Sequence, residues 1–321
     1  MTGEAHKKQI LYIAAALVTV YLCWGATYLT IRFAVETMPP SLMAGVRFGA
    51  AGLLLYAWAK CSGAASPTPV EWRGASIVGA LLLIGGNGGV VWAAKLVPSG
   101  ITALMVAAAP LWFVLLNWLW YGGIKPTVGV VVGIGLGFAG IALLVVDTGS
   151  FGGGEPVNKL GAAILLLASF FWAFGSLFSR KTTMPPNPLM ANAAQMLAGG
   201  AMFLIIGVIG GEWAQVRMDA ITVKSVISLL YLIVFGSIIG FSAYVWVLRV
   251  AEPALVSTYA FVNPVIAVLL GWAIGGEALS GKVIVATLVI IAAVIIITLS
   301  QGRKQPQQAV DHGAKPCAEN N

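Results

Sequence analysis

The sequence predicts an all-α integral membrane protein with ten transmembrane helices arranged as two inverted five-helix repeats. Three observations carry that expectation. Of the 321 residues 59% are hydrophobic and 9% charged, with a mean hydropathy of +0.93, whereas a soluble domain has about a quarter of its residues charged. The apolar residues fall into ten runs of the length a helix needs to cross the hydrocarbon, about 20 residues. Finally, Met38-Pro39-Pro40-Ser41-Leu42-Met43-Ala44 returns as Met184-Pro185-Pro186-Asn187-Pro188-Leu189-Met190-Ala191.

The ten runs are read from breaks of Pro, Gly and charge, at 10–31, 41–59, 74–94, 100–121, 127–146, 160–179, 189–210, 225–248, 255–275 and 282–300. The first follows His6, Lys7 and Lys8 and contains Ala14-Ala15-Ala16, but it continues too far for a cleaved secretory signal. Pro39-Pro40 opens the second, and Lys60 closes it. The third and fourth meet at Lys95 and Pro98, and Gly122-Gly123 with Lys125 separates the fourth from the fifth. Asp147 ends the fifth, Lys159 precedes the sixth and Arg180-Lys181 follows it. Pro185-Pro186 introduces the seventh, Lys224 the eighth, Pro253 the ninth and Lys282 the tenth. A β-barrel would alternate apolar and polar residues, which continuous runs such as 283–299 do not.

The echo extends beyond the Met-Pro-Pro motif. Trp24 is matched by Trp172, Trp92 by Trp246 and Pro110 by Pro264, with offsets between 146 and 154 residues across these pairs and the motif. The domain expectation is a cytoplasmic N-terminus at 1–9, a first repeat at 10–147, a connecting loop at 148–159, a second repeat at 160–300 and a disordered cytoplasmic tail at 301–321. Five crossings is an odd number, so a second copy starting where the first ends runs the opposite way. Inverted repeats of this kind place a substrate site near the midplane, where the halves meet.

A net charge of +7 comes from residues dispersed among helix ends, which excludes a nucleic-acid surface. With the N-terminus inside, the inner segments carry Lys7, Lys8, Lys60, Arg73, Lys125, Arg180, Lys181, Arg249, Arg303, Lys304 and Lys315. The outer segments carry Arg32, Lys95, Lys159, Arg217, Lys224 and Lys282. That distribution favours cytoplasmic termini. Cys23, Cys61 and Cys317 show no metal-ligand spacing and imply no disulfide framework.

The pattern Tyr21-x-x-Trp24-Gly25-x-x-Tyr28, then Met38-Pro39-Pro40-x-x-Met43-Ala44-Gly45-x-Arg47-Phe48, resembles the EamA branch of the drug/metabolite transporter superfamily. Val97-Pro98-Ser99-Gly100, Trp172-Ala173-x-Gly175-Ser176, Gly236-Ser237-Ile238-Ile239 and Tyr259-Ala260-x-Val262-Asn263-Pro264-Val265 are similar to its YedA-type members, and the likeness covers nearly all of 10–300. What this resemblance implies is a ten-helix bacterial inner-membrane carrier with a central cavity and cytoplasmic termini, exporting metabolites or drug-like compounds. It does not imply a particular substrate.

Arg47 is the charge placed well inside a span, about 10 Å beyond the Pro39-Pro40 turn. Burial costs such a charge at least about 2.5 to 3.5 kcal/mol. Its readings are an anchor for a substrate carboxylate, or a structural arginine that binds carbonyls at a broken helix or snorkels. Tyr21, Trp24, Tyr28 and Ile31 share one helical face, and Trp24 with Trp172 could clamp a planar ligand, the plainer reading being an interfacial aromatic belt. Ser176 lies on the matching face of the sixth helix. Asn87 sits among Gly85, Gly86, Gly88 and Gly89, where it either lines a cavity or bonds between helices. Gln195 stands roughly where Arg47 stands in the other copy.

Pro110 and Pro264, inside their spans, are hinge or static-kink positions, and Tyr259 and Asn263 beside Pro264 are candidate substrate contacts. The small-residue spacing from Gly133 to Gly137 reads as helix packing.

Asp147, Asp219 and Asp311 lie in loops or the tail, and His6 and His312 near the termini. The expectation is therefore no enzyme, no cofactor and no metal. It is also of facilitated export at least as readily as proton coupling, which commonly uses an intramembrane acid or His. The partners expected are a small-molecule substrate and the lipid bilayer, not nucleic acid, with the chain acting as a monomer or homodimer. The functional expectation is a secondary exporter of amino-acid-like metabolites or drug-like compounds working by alternating access. The rivals are a metabolite importer and a channel or scaffold.

Overall fold

The computed structural model describes residues 3–120, 125–145, 157–251, 255 and 258–302. Gly122-Gly123, Asp147, Pro253, positions 148–156 of the connecting loop and the tail from 303 lie outside them. Among the described residues every regular element is a helix. Nine are long and apolar enough to cross a membrane: α1 (Gln9–Val35), α2 (Pro40–Cys61), α3 (Pro69–Ala93), α4 (Ser99–Leu119), α5 (Val128–Val145), α6 (Lys159–Ser179), α7 (Pro188–Ile209), α8 (Val223–Tyr244) and, last in the chain, α10 (Gly281–Ser300). Between the last two lies a shorter apolar helix, α9 (Tyr259–Ala273).

The breaks visible in the sequence act as helix starts. Pro40, Pro69 and Pro188 occupy the first turn of α2, α3 and α7, where a missing N–H costs nothing. Thr68 and Glu71 form a reciprocal cap on α3, the Thr68 amide donating to Glu71 Oε2 at 2.6 Å and the Glu71 amide to Thr68 Oγ1 at 3.4 Å. Asn158, Asn187 and Thr222 accept from the first-turn amides of α6, α7 and α8.

Several spans are not the uninterrupted helices expected. The α1 helix breaks at Ala26, between segments ending at Gly25 and beginning at Thr27. In α4 the break falls at Ala107-Ala108, and a new segment opens at Ala109. Pro110 is thus in the first turn of a fresh helix rather than a kink in a continuous one, because only there is its lost hydrogen bond free of cost. Pro264 does lie inside its helix. Two spans carry π-helical stretches, Ala80–Gly88 in α3 and Leu232–Ile239 in α8.

Glycine sets the closest packing. Along α2 and α7, Leu42 faces Gly207, Gly45 faces Leu204, Gly49 faces Gly200 and Gly52 faces Leu197, so the two helices run antiparallel. Gly129 meets Ser300, Gly133 meets Ile297 and Gly140 meets Ile290, so α5 and α10 also run antiparallel. Small residues let backbones approach where lipid supplies no hydrophobic drive. The α1 helix packs on α8 and α9, α6 packs on α3 and α4, and the N-terminal end of α4 meets the C-terminal end of α9.

One face of the bundle is tied by charge. It is the face where α1, α7 and α9 end and α2, α4 and α8 begin. Arg32 Nη1 donates to Glu277 Oε1 at 2.6 Å, and Glu277 also accepts from the amides of Ser99 at 2.6 Å and Gly100 at 2.9 Å. Glu212 accepts from the Ser41 amide and hydroxyl and from the Leu42 amide. Lys224 pairs with Glu36, and Ser225 Oγ donates to the Phe33 carbonyl at 2.7 Å. Ion pairs formed between described residues, which also include Arg217–Asp219, all fall on this face.

Candidate functional site

Between the spans lies a cavity of about 150 Å³. Its wall is built from α1 (Trp24, Thr27, Tyr28, Ile31), α2 (Arg47, Phe48), α3 (Gly86, Asn87, Val90), α4 (including Val106, Pro110 and Phe113), α6 (Ala168, Trp172), α8 (Gly236, Phe241) and α9 (Tyr259, Ala260, Asn263, Pro264). The helices α5 and α10 contribute nothing to the wall, and neither does α7, whose small face is taken by α2. The structure brings Trp24, Tyr28, Arg47, Asn87, Pro110, Trp172, Tyr259, Asn263 and Pro264 to one wall.

It does not bring Ser176 or Gln195 there. The Ser176 hydroxyl donates to the Trp172 carbonyl at 2.7 Å and is satisfied within α6. Gln195 is half-buried on α7, with its backbone carbonyl against Gly79 of α3. A quasi-repeat equates positions along a helix, but a one-residue uncertainty turns a side chain by about 100°. That is enough to move Gln195 off the wall.

Arg47 is 3% exposed. Its Nε donates to Ser237 Oγ at 3.1 Å, its guanidinium carbon lies 4.7 Å from the Phe48 ring centroid, and Nη1 has no hydrogen-bond partner. Glycine at 236 admits the guanidinium, because a β-carbon there would stand 3.3 Å from Nη2. Asn263 is 5% exposed, with Oδ1 also unpartnered.

The two tryptophans are held differently. Trp24 Nε1 donates to the Gly236 carbonyl at 3.2 Å, within the π-helical stretch of α8, and π-bulges recur at functional sites. Its ring packs edge-on against Phe241 at 5.4 Å and Tyr259 at 5.5 Å, and tilted on Tyr244 at 5.0 Å. Trp172 lies on Gly86 of the other π-helical stretch, where a β-carbon would approach its ring to 3.1 Å. Each tryptophan therefore meets a π-helical segment of the opposite half. Trp24→Leu is expected to destabilise the protein by about 2 to 4 kcal/mol through lost packing and an orphaned carbonyl. Trp172→Leu, with no ring stacked on it among the described residues, costs less, and a thermal melt of both variants in detergent checks the order.

Sequence reasoning missed Thr27, Phe48, Phe113, Gly236 and Phe241 on this wall. Phe48 and Gly236 lay within motifs already singled out. Phe113 and Phe241 carry no local signal, being apolar residues in apolar runs.

Membrane-spanning helices thus surround an internal cavity, and among the described residues Arg47 is the one charged group on its wall. The family model described as the EamA-like transporter family matches twice, at 11–146 and 159–299, and the chain belongs to that family. It is 42% identical over 296 residues to the uncharacterized inner membrane transporter YedA of Escherichia coli (strain K12), covering 92% of this chain and 93% of that one. It is 27% identical over 301 residues to the uncharacterized transporter YvbV of Bacillus subtilis (strain 168), covering 92% and 96%. A solved crystal structure, 22% identical, superposes with a TM-score of 0.62 over 91% of this chain and 98% of its own, a likeness of fold. The protein is a multi-pass protein of a bacterial inner membrane, and as a member of this family it meets lipid and small-molecule substrates.

Proposed function

We propose that the protein is a secondary transporter that exports small metabolites, amino-acid-like or drug-like, by alternating access to this cavity. The observation that carries the reading is the reciprocal build of the wall. Trp24 and Trp172 each pack on a π-helical segment of the other half, and Pro110 and Pro264 both reach the wall. Such a site changes exposure when one half rocks against the other. Two five-helix repeats, at 10–147 and 160–300, are related by inversion in this reading. The antiparallel run of α2 against α7 and of α5 against α10 supports it, since these are the counterpart pairs.

The charged ties from Arg32 to Glu277 and from Lys224 to Glu36 hold one face shut. With cytoplasmic termini, that face is the outer one and the cavity awaits substrate from within. Ser176 and Gln195 act in this scheme as helix-packing groups, while Trp24, Tyr28, Arg47, Asn87, Trp172, Tyr259 and Asn263 contact the substrate and the two prolines mark hinge positions.

Among the described residues the wall carries no acid to exchange a proton, which favours facilitated export. Proteoliposomes loaded with a labelled panel of amino acids, organic acids, nucleosides and cationic drugs test both points. The expected result is saturable counterflow of at least one compound without an imposed pH gradient. Flux that never saturates would favour the channel reading, and strict dependence on the gradient would remove the facilitated one.

A further inference from the structure

The charge arrangement of the wall is one-sided. Among the described residues Arg47 is its one charged group, and no Asp, Glu, His or Lys lies on it. The groups that hold the guanidinium, the Ser237 hydroxyl and the Phe48 ring, are neutral, and Nη1 is left without a partner. We propose that the cavity selects organic anions, monocarboxylates with an apolar ring-sized body, over zwitterionic amino acids and over cations. This rests on the carrier reading above and narrows its substrate class.

A guanidinium held in low-polarity surroundings without a counter-ion is an incomplete ion pair. A ligand carboxylate completes it with charge-assisted hydrogen bonds, for which guanidinium geometry is suited. An ammonium group has no such complement. It would leave water for aromatic faces and neutral amides and hydroxyls, none of them a counter-charge, while the guanidinium on the same wall repels it, and in low dielectric that repulsion is poorly screened. An amino acid therefore gains at its carboxylate and loses at its amine.

The body of the ligand meets rings, among them Trp24, Tyr28, Phe113 and Trp172. The other polar groups on the wall, the hydroxyls of Thr27, Tyr28 and Tyr259 and the amides of Asn87 and Asn263, are neutral; among them the Asn263 amide is singled out by its burial. It has no hydrogen-bond partner for Oδ1, and an amide can present either a donor or an acceptor edge to a neutral hydroxyl, carbonyl or ring N–H.

Three indoles separate the charge states. Indole-3-propionate, tryptophan and tryptamine share the ring and the chain length and are respectively anionic, zwitterionic and cationic. Binding is measured by titration calorimetry on the full chain in lipid nanodiscs. The expected result is that indole-3-propionate binds about tenfold or more tightly than tryptophan, a difference within reach of one uncompensated charge, with no saturable binding of tryptamine. Arg47→Gln brings indole-3-propionate down to the level of tryptophan. Asn263→Asp places a carboxylate on the wall, and so strengthens tryptophan binding while weakening indole-3-propionate, a gain that misfolding cannot imitate. Wild-type preference for tryptophan or tryptamine overturns the anion class and leaves the carrier reading intact. Silence from all three ligands also overturns it, and the carrier reading is then judged separately by the counterflow panel. An unchanged order of affinities in Arg47→Gln would equally contradict the role given to that residue.

Discussion

Valine at position 200 in place of glycine will prevent the protein from being recovered as a stable, monodisperse species. A β-carbon at Gly200 would stand 2.6 Å from the Gly49 backbone nitrogen and 3.0 Å from its Cα, and backbone atoms cannot rotate aside as a side chain can. The α2 and α7 helices would have to separate along the whole seam from Leu42 to Gly52. Overpacking a tight core costs typically about 1 to 3 kcal/mol, and a clash with backbone at a two-helix seam lies at or above the top of that range. Gly200→Ala is expected to lower the melting temperature in the same direction by less. The control is close by: a β-carbon at Gly49 meets nothing within 4 Å, so Gly49→Ala leaves stability unchanged or slightly raised. Equal melting temperatures for Gly200→Ala and Gly49→Ala would refute the seam.

Under the alternating-access proposal, glutamine at position 277 in place of glutamate will weaken the face tied by charge and shift the protein toward the opposite opening. Glu277 takes three donors at once, Arg32 Nη1 and the amides of Ser99 and Gly100. It thereby joins the end of α1 to the start of α4 through the loop that follows α9. Its negative charge also favours the N-terminus of α4, where partial positive charge accumulates. A glutamine keeps one acceptor oxygen but loses the charge, and Arg32, about a third exposed, retains water as an alternative. The loss expected is about 1.5 to 3 kcal/mol, enough to move a two-state equilibrium by one to two orders of magnitude. The reverse-charge pair Arg32→Glu with Glu277→Arg would not restore the wild-type balance. An arginine at 277 cannot accept from the Ser99 and Gly100 amides.

How much of this was legible in the sequence depended on range. The spans were legible because composition and Pro-Pro or Asn-Pro starts are local signals, and Pro40 and Pro188 stand where such starts belong, whereas α3 begins at Pro69, ahead of the expected 74. The interruptions at Ala26 and Ala107-Ala108 and the two π-helical stretches were not. In one of these stretches Trp24, from another span, takes the carbonyl of Gly236, a contact that no local pattern announces.

Arg47 and Asn263 stood out because a polar group in mid-span is costly without a reason to be there, and Trp24 because it returns as Trp172 in the second copy. Phe113 and Phe241 did not, because an aromatic in an apolar run looks the same whether it meets lipid or a cavity. Glu277 carries no local signal of its role. Its bond to Arg32 joins residues 245 positions apart, a distance over which a single sequence holds no record of pairing. Gln195 is absent from the lining residues for a related reason, since a quasi-repeat aligns levels in the membrane more securely than it aligns helix faces.

The central claim is that one cavity is reached from one side of the membrane at a time. Val106 lies on its wall, so a Val106→Cys reporter, in a background with Cys23, Cys61 and Cys317 replaced by serine, can be probed with an impermeant maleimide. The measurement is its labelling rate in right-side-out and in inside-out vesicles. The expected result is rapid labelling from one side alone, reversed in sidedness when Glu277→Gln is added. Equal labelling from both sides in both proteins, as an open pore would give, would contradict the account.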